Sequence, residues 1–235
     1  MVFIICLLGS VIQGVIGFGF AMFVMAFLPL LMPLKLASAI TSLYVLFIGS
    51  MMSYNLRKNI DFKMVIVPII TSFIFIPAGV YLLLICRENI LTKILGGLIV
   101  LLAIFLFING RRKINIKPSL KNGIAAGTIS GIMSGMFNVG GPPLVLYYLH
   151  AAKNKLSYKA SLEFTFAVNT TFVFLSHIFY GNVSGNMLEL ALIGFVATVS
   201  GSFLGLKVFR KLDAVILTWS VYVMMLIMGF VLLLK

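Results

Sequence analysis

Six uninterrupted apolar stretches, each about as long as one membrane-spanning helix, constrain this chain more than any other feature. They occupy residues 36–56, 64–85, 90–109, 160–180, 187–206 and 214–234. A helix needs about 20 apolar residues to cross the hydrocarbon core of a bilayer. With 62% hydrophobic and 10% charged residues among 235, the chain has more apolar surface than a soluble fold of this length can bury. The sequence therefore predicts an all-α polytopic membrane protein with a single transmembrane domain.

Two further apolar stretches are interrupted by glycine and proline. The first runs from residue 1 to about residue 34 and contains GVIGFGFAMF, and the second runs from about 122 to 149 and contains GMFNVGGPPLVLYYL. As one helix the first would be about 50 Å long, which exceeds the thickness of the hydrocarbon core. Glycine and proline both weaken the helical hydrogen-bond ladder. We therefore predict that each stretch is a broken helix.

The two interrupted stretches also match each other in position. The segment Gly14–Gly19 aligns with Gly135–Gly140 at an offset of 121 residues, and each is followed by a short basic connector and three apolar stretches. The chain is therefore interpreted as two repeats of four hydrophobic segments, with the first segment of each repeat broken. Repeat one covers residues 1–110 and repeat two covers residues 118–235.

The distribution of the 18 Lys and Arg residues indicates how the repeats cross the membrane. Basic residues collect in the cytoplasmic loops of membrane proteins and set their orientation. We therefore attribute the net charge of +13 to membrane orientation and not to nucleic-acid binding. If each broken stretch crossed once, the two sides would hold equal numbers of Lys and Arg. If each broken stretch returns to the side from which it entered, four Lys and Arg residues lie on the side of the N-terminus and fourteen lie on the opposite side. The second arrangement predicts inverted repeats with both termini outside.

The breaks also carry the candidate substrate-binding residues. A half-helix that starts inside the membrane directs its free N–H groups and positive dipole end at the break, where an anion can bind. Each break alone is also compatible with a kinked packing helix, but two breaks at matching places favour the ligand-binding interpretation. The predicted substrate-binding residues are Gln13, Gly14, Gly17, Gly19, Asn138, Gly140, Gly141 and Pro142.

Few ionisable or strongly polar side chains interrupt the other stretches. Glu163 and His177 are candidates for coupling or gating, with snorkelling to the membrane surface as the alternative. Asn169 is a third candidate, and it also fits a role as an interhelical hydrogen bond. Gly123, Gly127, Gly131 and Gly135 recur every four residues and predict a close helix–helix contact, as do Gly201 and Gly205.

The sequence contains none of the catalytic motifs that would indicate an enzyme. The chain contains no G-x-S-x-G or H-E-x-x-H motif and no phosphate-binding loop pattern. We therefore expect no enzymatic activity, no metal site and no cofactor.

The two interrupted stretches, with the spans that open at Ala37-Ser-Ala and Ala160-Ser-Leu, resemble the TauE/SafE family of sulfite and sulfonate transporters. The resemblance covers essentially the whole chain, and Gly140-Gly-Pro-Pro143 carries its second motif. It implies a secondary transporter for a small anion, such as sulfite, a sulfonate or another organic acid, in the cytoplasmic membrane of a prokaryote. The expected partners are the anion and the lipid bilayer, with a homodimer left open. The alternatives are a passive anion channel, or a membrane-embedded enzyme or assembly partner.

Overall fold

The computed structural model describes residues 1–16, 18–109, 119–182, 187–209 and 214–234. Within these ranges the chain is almost entirely helical and has no β-strand, so the predicted all-α class is confirmed. In chain order the helices are α1 (Val2–Ile16), α2 (Phe20–Phe27), α3 (Leu34–Leu56), α4 (Phe62–Ile85), α5 (Glu88–Asn109), α6 (Leu120–Phe137), α7 (Gly141–Ala151), α8 (Lys155–Phe179), α9 (Met187–Phe209) and α10 (Ala214–Leu234). Short 3-10 turns, Leu28–Leu30 and Arg57–Asn59, follow α2 and α3.

Four segments of the described chain are long and apolar enough to cross a membrane unaided. They are Leu34–Asn59, Phe62–Ile85, Glu88–Phe105 and Leu156–Phe179. Their outer faces carry large apolar side chains, and on α4 the side chains of Ile66, Phe73 and Tyr81 are all about half exposed. Apolar faces of this extent match a lipid surrounding and not an aqueous one. The chain is therefore a multi-pass membrane protein.

Side chains from neighbouring segments fix several helix ends. The Ser119 hydroxyl accepts a hydrogen bond from the N–H of Asn122 at the start of α6, and Asn154 does the same for Ser157 at the start of α8. At the start of α3 the N–H of Leu34 donates to the Glu88 carboxylate over 2.6 Å. Such caps satisfy N–H groups that a helix cannot pair within itself.

The helices group into two compact units that do not follow the order of the sequence. Unit 1 contains residues 1–41, 85–114 and 185–235, and unit 2 contains residues 42–84 and 115–184. Each unit therefore takes helices from both halves of the chain. The repeats predicted from the sequence, 1–110 and 118–235, concern the order of elements, whereas the units describe which helices pack together.

In unit 1, α1 runs parallel to α9 at a glycine-lined contact. A Cβ added at Gly201 would lie 2.7 Å from the Cβ of Ser10, and one added at Gly205 would lie 3.1 Å from the Cα of Gly14. Residues 201 and 205 of α9 thus meet residues 10 and 14 of α1 in the same order, so the two helices run parallel. The close contact predicted for Gly201 and Gly205 is confirmed.

The other long pair in unit 1, α5 with α10, is antiparallel. Gly96 lies against Gly229 and Leu233, whereas Val100, one turn later, lies against Gly229. In the same unit α2 folds back along α1, because a Cβ at Gly9 would lie 3.1 Å from Cγ2 of Val24. Fifteen residues of straight helix would separate those positions by about 22 Å.

In unit 2, α6 lies parallel to α4 through the predicted glycine ladder. A Cβ at Gly127 would lie 2.8 Å from the Cα of Pro68, and one at Gly135 would lie 2.9 Å from the Cα of Gly79. Glycine lets the two backbones approach this closely because it has no side chain. The ladder is therefore confirmed as a packing face, and it holds the C-terminal end of α6 in place.

The helix α7 then folds back along α6. A Cβ at Gly123 would lie 3.2 Å from Oη of Tyr147, although the two residues are 24 positions apart in the chain. A straight helix would place them about 36 Å apart. The connection between α6 and α7, residues 138–140, is therefore the tip of a helical hairpin.

Candidate functional site

The tip of the α6–α7 hairpin begins at a residue with left-handed backbone. Asn138 has φ 58° and ψ 17°, and among the described residues it is the one non-glycine residue with positive φ. Its N–H donates to the Ser134 carbonyl over 2.8 Å, which ends α6. Asparagine tolerates this conformation better than most residues. The sequence GMFN therefore stops the helix sharply and leaves the Asn138 side chain buried at the tip.

The start of α7 leaves a small number of backbone donors at the same tip. Gly140 caps the helix, Gly141 begins it, and Pro142 and Pro143 follow in the first turn. The first four N–H groups of a helix have no partner within it, and proline has no N–H. Two donors therefore remain, the N–H groups of Gly140 and Gly141, and neither has an acceptor among the residues that the structure describes.

Two serine hydroxyls of α6 lie against Gly140. A Cβ added at Gly140 would overlap Oγ of Ser134 and would lie 2.7 Å from Oγ of Ser130. Both serines are buried, and Oγ of Ser130 has no hydrogen-bond partner among the described residues. The tip therefore combines backbone N–H groups and hydroxyls, all of them neutral, at residues that are buried except for the half-buried Gly141.

Helix α8 contributes the wall that faces α7. Oη of Tyr148 and Oγ1 of Thr165 lie 2.8 Å apart, and a Cβ at Gly141 would lie 3.4 Å from Cζ of Phe166. Asn169 is one turn farther along α8 on the same side as these two α8 residues. It is 1% exposed, and both polar atoms of its amide are without a partner within the described part of the chain.

The two other coupling candidates lie on α8 as well. Glu163 is fully buried one turn before Phe166, on the part of α8 that reaches the hairpin tip. His177 is buried near the C-terminal end of α8, where Nδ1 lies 3.2 Å from Nδ2 of Asn182. The structure thus brings Glu163 and Asn169 to the same stretch of α8 and leaves His177 at its far end.

The first break has a different lining. Gln13 is buried in α1, and Gly14 lies against the Gly205 backbone in the contact between α1 and α9. Gly19 caps α2 with φ 107°, and a Cβ there would lie 3.5 Å from Cγ2 of Ile12. Gly17, the remaining candidate of this set, lies outside the described residues. The polar hydroxyls that accompany Gly140 have no counterpart in the described surroundings of Gly19.

The arrangement at the α6–α7 tip suits recognition of an anion by neutral donors. Helix N-termini bind anions through free N–H groups and the helix dipole. Within the described chain no three His, Cys, Asp or Glu residues come together in a way that could hold a metal ion. Ser130 and Ser134 are not among the residues predicted from the sequence, although they repeat at a spacing of four just before Gly131 and Gly135 and so share one side of α6.

Comparison with known proteins gives one match and two negative results. The family described as Sulfite exporter TauE/SafE matches residues 2–232, which is nearly the whole chain. No curated protein and no solved structure matches it.

Proposed function

Because the chain belongs to the sulfite exporter TauE/SafE family, we propose that it is a secondary transporter that moves a small sulfur-containing anion across the cell membrane. The family is one of membrane transporters, and the chain has the span-length apolar helices that this role requires. Beyond family membership, we propose a binding site and a route through the membrane.

The observation that carries the proposal is the set of donors at the tip of the α6–α7 hairpin. The N–H groups of Gly140 and Gly141 and the Ser130 hydroxyl lack acceptors among the described residues, although buried polar groups are nearly always paired. Leaving a buried donor unsatisfied costs about 1–3 kcal/mol. A bound oxyanion would accept from all three groups and remove that cost.

The proposed binding mode assigns a role to each residue at the tip. The two glycine N–H groups donate to one face of the anion, and the hydroxyls of Ser130 and Ser134 donate from α6. Asn138 turns the chain so that α7 starts beside these hydroxyls. Ser130 and Ser134 are buried, and burial strengthens hydrogen bonds to a charged ligand. Glu163 and Asn169 remain the coupling or gating candidates, since both lie on the nearby part of α8.

The proposed route has both termini outside and inverted repeats. Two observations within the units support it. The α1–α2 and α6–α7 segments are both hairpins, so each returns toward the side from which it entered. Helices α5 and α10 are antiparallel. If every hydrophobic segment crossed the membrane once, α5 and α10 would be the fourth and eighth crossings and would run parallel. These contacts agree with the distribution of basic residues.

A pair of glycine contacts supports the repeat relation in the same way. Gly14 lies against Gly205 in unit 1, and Gly135 lies against Gly79 in unit 2. Gly14 and Gly135 are the positions that the offset of 121 residues aligns. The first helix of each repeat therefore packs, through an equivalent glycine, against the third hydrophobic segment of the other repeat, α9 or α4.

Uptake by the purified protein in liposomes tests the proposed function. We expect saturable uptake of sulfite or of a small sulfonate, and competition by unlabelled anion. In a parallel thermal-unfolding measurement, a ligand at 100 times its Kd should stabilise the protein by about 2.7 kcal/mol. Uptake that does not saturate, with a large conductance in a planar bilayer, would instead identify a channel.

Reporter fusions test the route. A reporter fused at Lys235 is expected outside the cell, and one inserted at Lys117, between α5 and α6, is expected in the cytoplasm. A cytoplasmic location for Lys235 would rule out the inverted arrangement, because the basic connectors and the C-terminus would then share one side.

A further inference from the structure

We propose that the tip of the α6–α7 hairpin selects anions with one negative charge, such as a sulfonate or hydrogensulfite, over anions with two, such as sulfate. This inference rests on the transport function proposed above and narrows the class of substrate for the same site. It follows from the number and kind of donors that the tip offers.

The first argument is the number of backbone donors. A helix normally presents four free N–H groups at its start, together with about half a positive charge. In α7 the two prolines at 142 and 143 remove two of the four, so Gly140 and Gly141 supply the rest. A helix start of this composition matches less negative charge than one whose four N–H groups are all present.

The second, independent argument is the Ser130 hydroxyl. Ser130 is fully buried, its Oγ has no partner among the described residues, and it lies 2.7 Å from the Cβ position of residue 140. It therefore lies beside Gly140, at the start of α7 to which the two N–H groups belong. Since a hydroxyl is neutral, it adds a hydrogen bond and no positive charge.

The third argument is the position of the basic residues of unit 2. In the described part of this unit they lie in the connections or the first two turns of helices, at Arg57, Lys58, Lys63, Lys121, Lys153, Lys155 and Lys159. The nearest to the tip along α8 is Lys159, seven residues or about 10 Å before Phe166. Glu163 lies between them and is the buried ionisable group closest to Phe166 in the chain.

Charge balance then sets the selectivity. Moving an ion from water to a buried site is strongly unfavourable unless the site supplies compensating charge and hydrogen bonds. Half a positive charge and a few neutral donors compensate a single negative charge far better than two. We expect at least about a tenfold difference in Kd, which corresponds to about 1.4 kcal/mol.

A series of three molecules with one shape and three charges tests this selectivity. Sulfate, methanesulfonate and dimethyl sulfone share a tetrahedral sulfur and carry two, one and no negative charges. Binding to the purified full-length protein is measured by titration calorimetry at fixed ionic strength, since screening alters all charge effects. Methanesulfonate is expected to bind at least tenfold more tightly than either of the others.

The outcomes separate this inference from the proposed function. Sulfate that binds as tightly as methanesulfonate would overturn the charge selectivity and leave anion transport standing. If neither anion binds, or if dimethyl sulfone binds as tightly as methanesulfonate, both the selectivity and the proposed function are overturned.

Two variants test whether the binding and its selectivity depend on residues at the tip of the α6–α7 hairpin. Ser130→Ala is expected to weaken methanesulfonate binding about tenfold, because a hydrogen bond to a charged group is lost. Ser176→Ala is the matched control, since that hydroxyl donates to the Phe172 carbonyl of its own helix, and it should leave the Kd unchanged. Equal Kd values for Ser130→Ala and the unmodified protein would overturn the assignment.

The second variant, Pro143→Ala, restores one N–H group in the first turn of α7. The added donor should favour sulfate more than methanesulfonate and reduce the ratio of their Kd values several-fold. This readout is a ratio, so a general loss of folded protein does not imitate it. An unchanged ratio would mean that the missing donors do not set the selectivity.

Discussion

The two helix breaks of this protein differ in what surrounds the start of their second helix. At Gly19 the neighbours are apolar, since a Cβ there would meet Ile12, and Gly9 packs against Phe20 and Val24. At Gly140 the neighbours are the hydroxyls of Ser130 and Ser134. Similar glycine patterns in the sequence therefore have different described neighbours, apolar at Gly19 and hydroxyl-bearing at Gly140. This difference is the reason for proposing the ligand site at the second break.

The largest expected effect is at Gly140. In Gly140→Ala the new methyl group would overlap Oγ of Ser134 and lie 2.5 Å from the Ser130 carbonyl oxygen, so the hairpin tip must shift. We expect transport to be abolished and thermal stability to fall. The control is Gly97→Ala, whose Cβ would meet Leu233 at an ordinary 3.7 Å, and it should behave like the unmodified protein. Full transport by Gly140→Ala would remove the main difference between the two breaks.

A smaller but still large effect is expected from charge at Asn138. Asn138→Asp keeps the shape and the left-handed backbone but adds a negative charge beside the proposed anion. At roughly 5 Å and an effective dielectric constant of about 20, the repulsion is about 3 kcal/mol, or about a hundredfold in Kd. The comparison is Asn138→Gly, because glycine adopts positive φ readily and has no side-chain amide. This variant should weaken anion binding only about tenfold in Kd.

The pH dependence of Asn138→Asp provides its internal check. Protonation of the new carboxylate at lower pH removes the charge, so anion binding should recover partly as pH falls. Equal binding by the Asp and Gly variants from neutral to acidic pH would mean that Asn138 is far from the anion or that the substrate is not an anion.

At the first break we expect an effect on stability and none on affinity. Gly19→Ala places a side chain at φ 107°, which should cost about 1–3 kcal/mol of stability. Gly181→Ala is the matched control, because Gly181 also has positive φ, at 70°, and nothing lies within 4 Å of its Cβ position. Thermal unfolding and Kd are measured for both. A loss of affinity in Gly19→Ala alone would show that the first break also contacts the ligand.

Among these variants, Gly141→Ala is expected to have the smallest effect, and it separates Gly141 from its neighbour Gly140. A methyl group at Gly141 would meet Cζ of Phe166 at 3.4 Å, an ordinary contact, so Gly141→Ala should retain transport within about twofold. Gly141→Leu places a larger side chain beside the proposed ligand and should abolish transport while the protein still reaches the membrane. If Gly141→Leu is fully active, this position serves packing alone.

The sequence predicts the long helices and the break positions because both depend on local chemistry. Apolar length sets the spans, and glycine with proline interrupts α6 before α7. The packing partners of α1 and α6 do not follow from local chemistry. Gly14 meets Gly205 across 191 positions of sequence, and such a partner depends on the shape of the whole unit. Asn138 is among the residues predicted from the sequence, but its left-handed backbone, and the place of the Ser130 hydroxyl beside Gly140, appear only when α7 folds back.

The interleaved composition of the units has a consequence for how the chain is made. Unit 2 closes with residue 184, so all of its helices exist once that residue has been synthesised. Unit 1 also needs α9 and α10, which are synthesised after every helix of unit 2. The α1–α2 hairpin, although it precedes unit 2 in the chain, therefore lacks its packing partner α9 until unit 2 has been synthesised. Contacts between distant segments form slowly. The α1–α2 hairpin is thus expected to reach its final packing after unit 2.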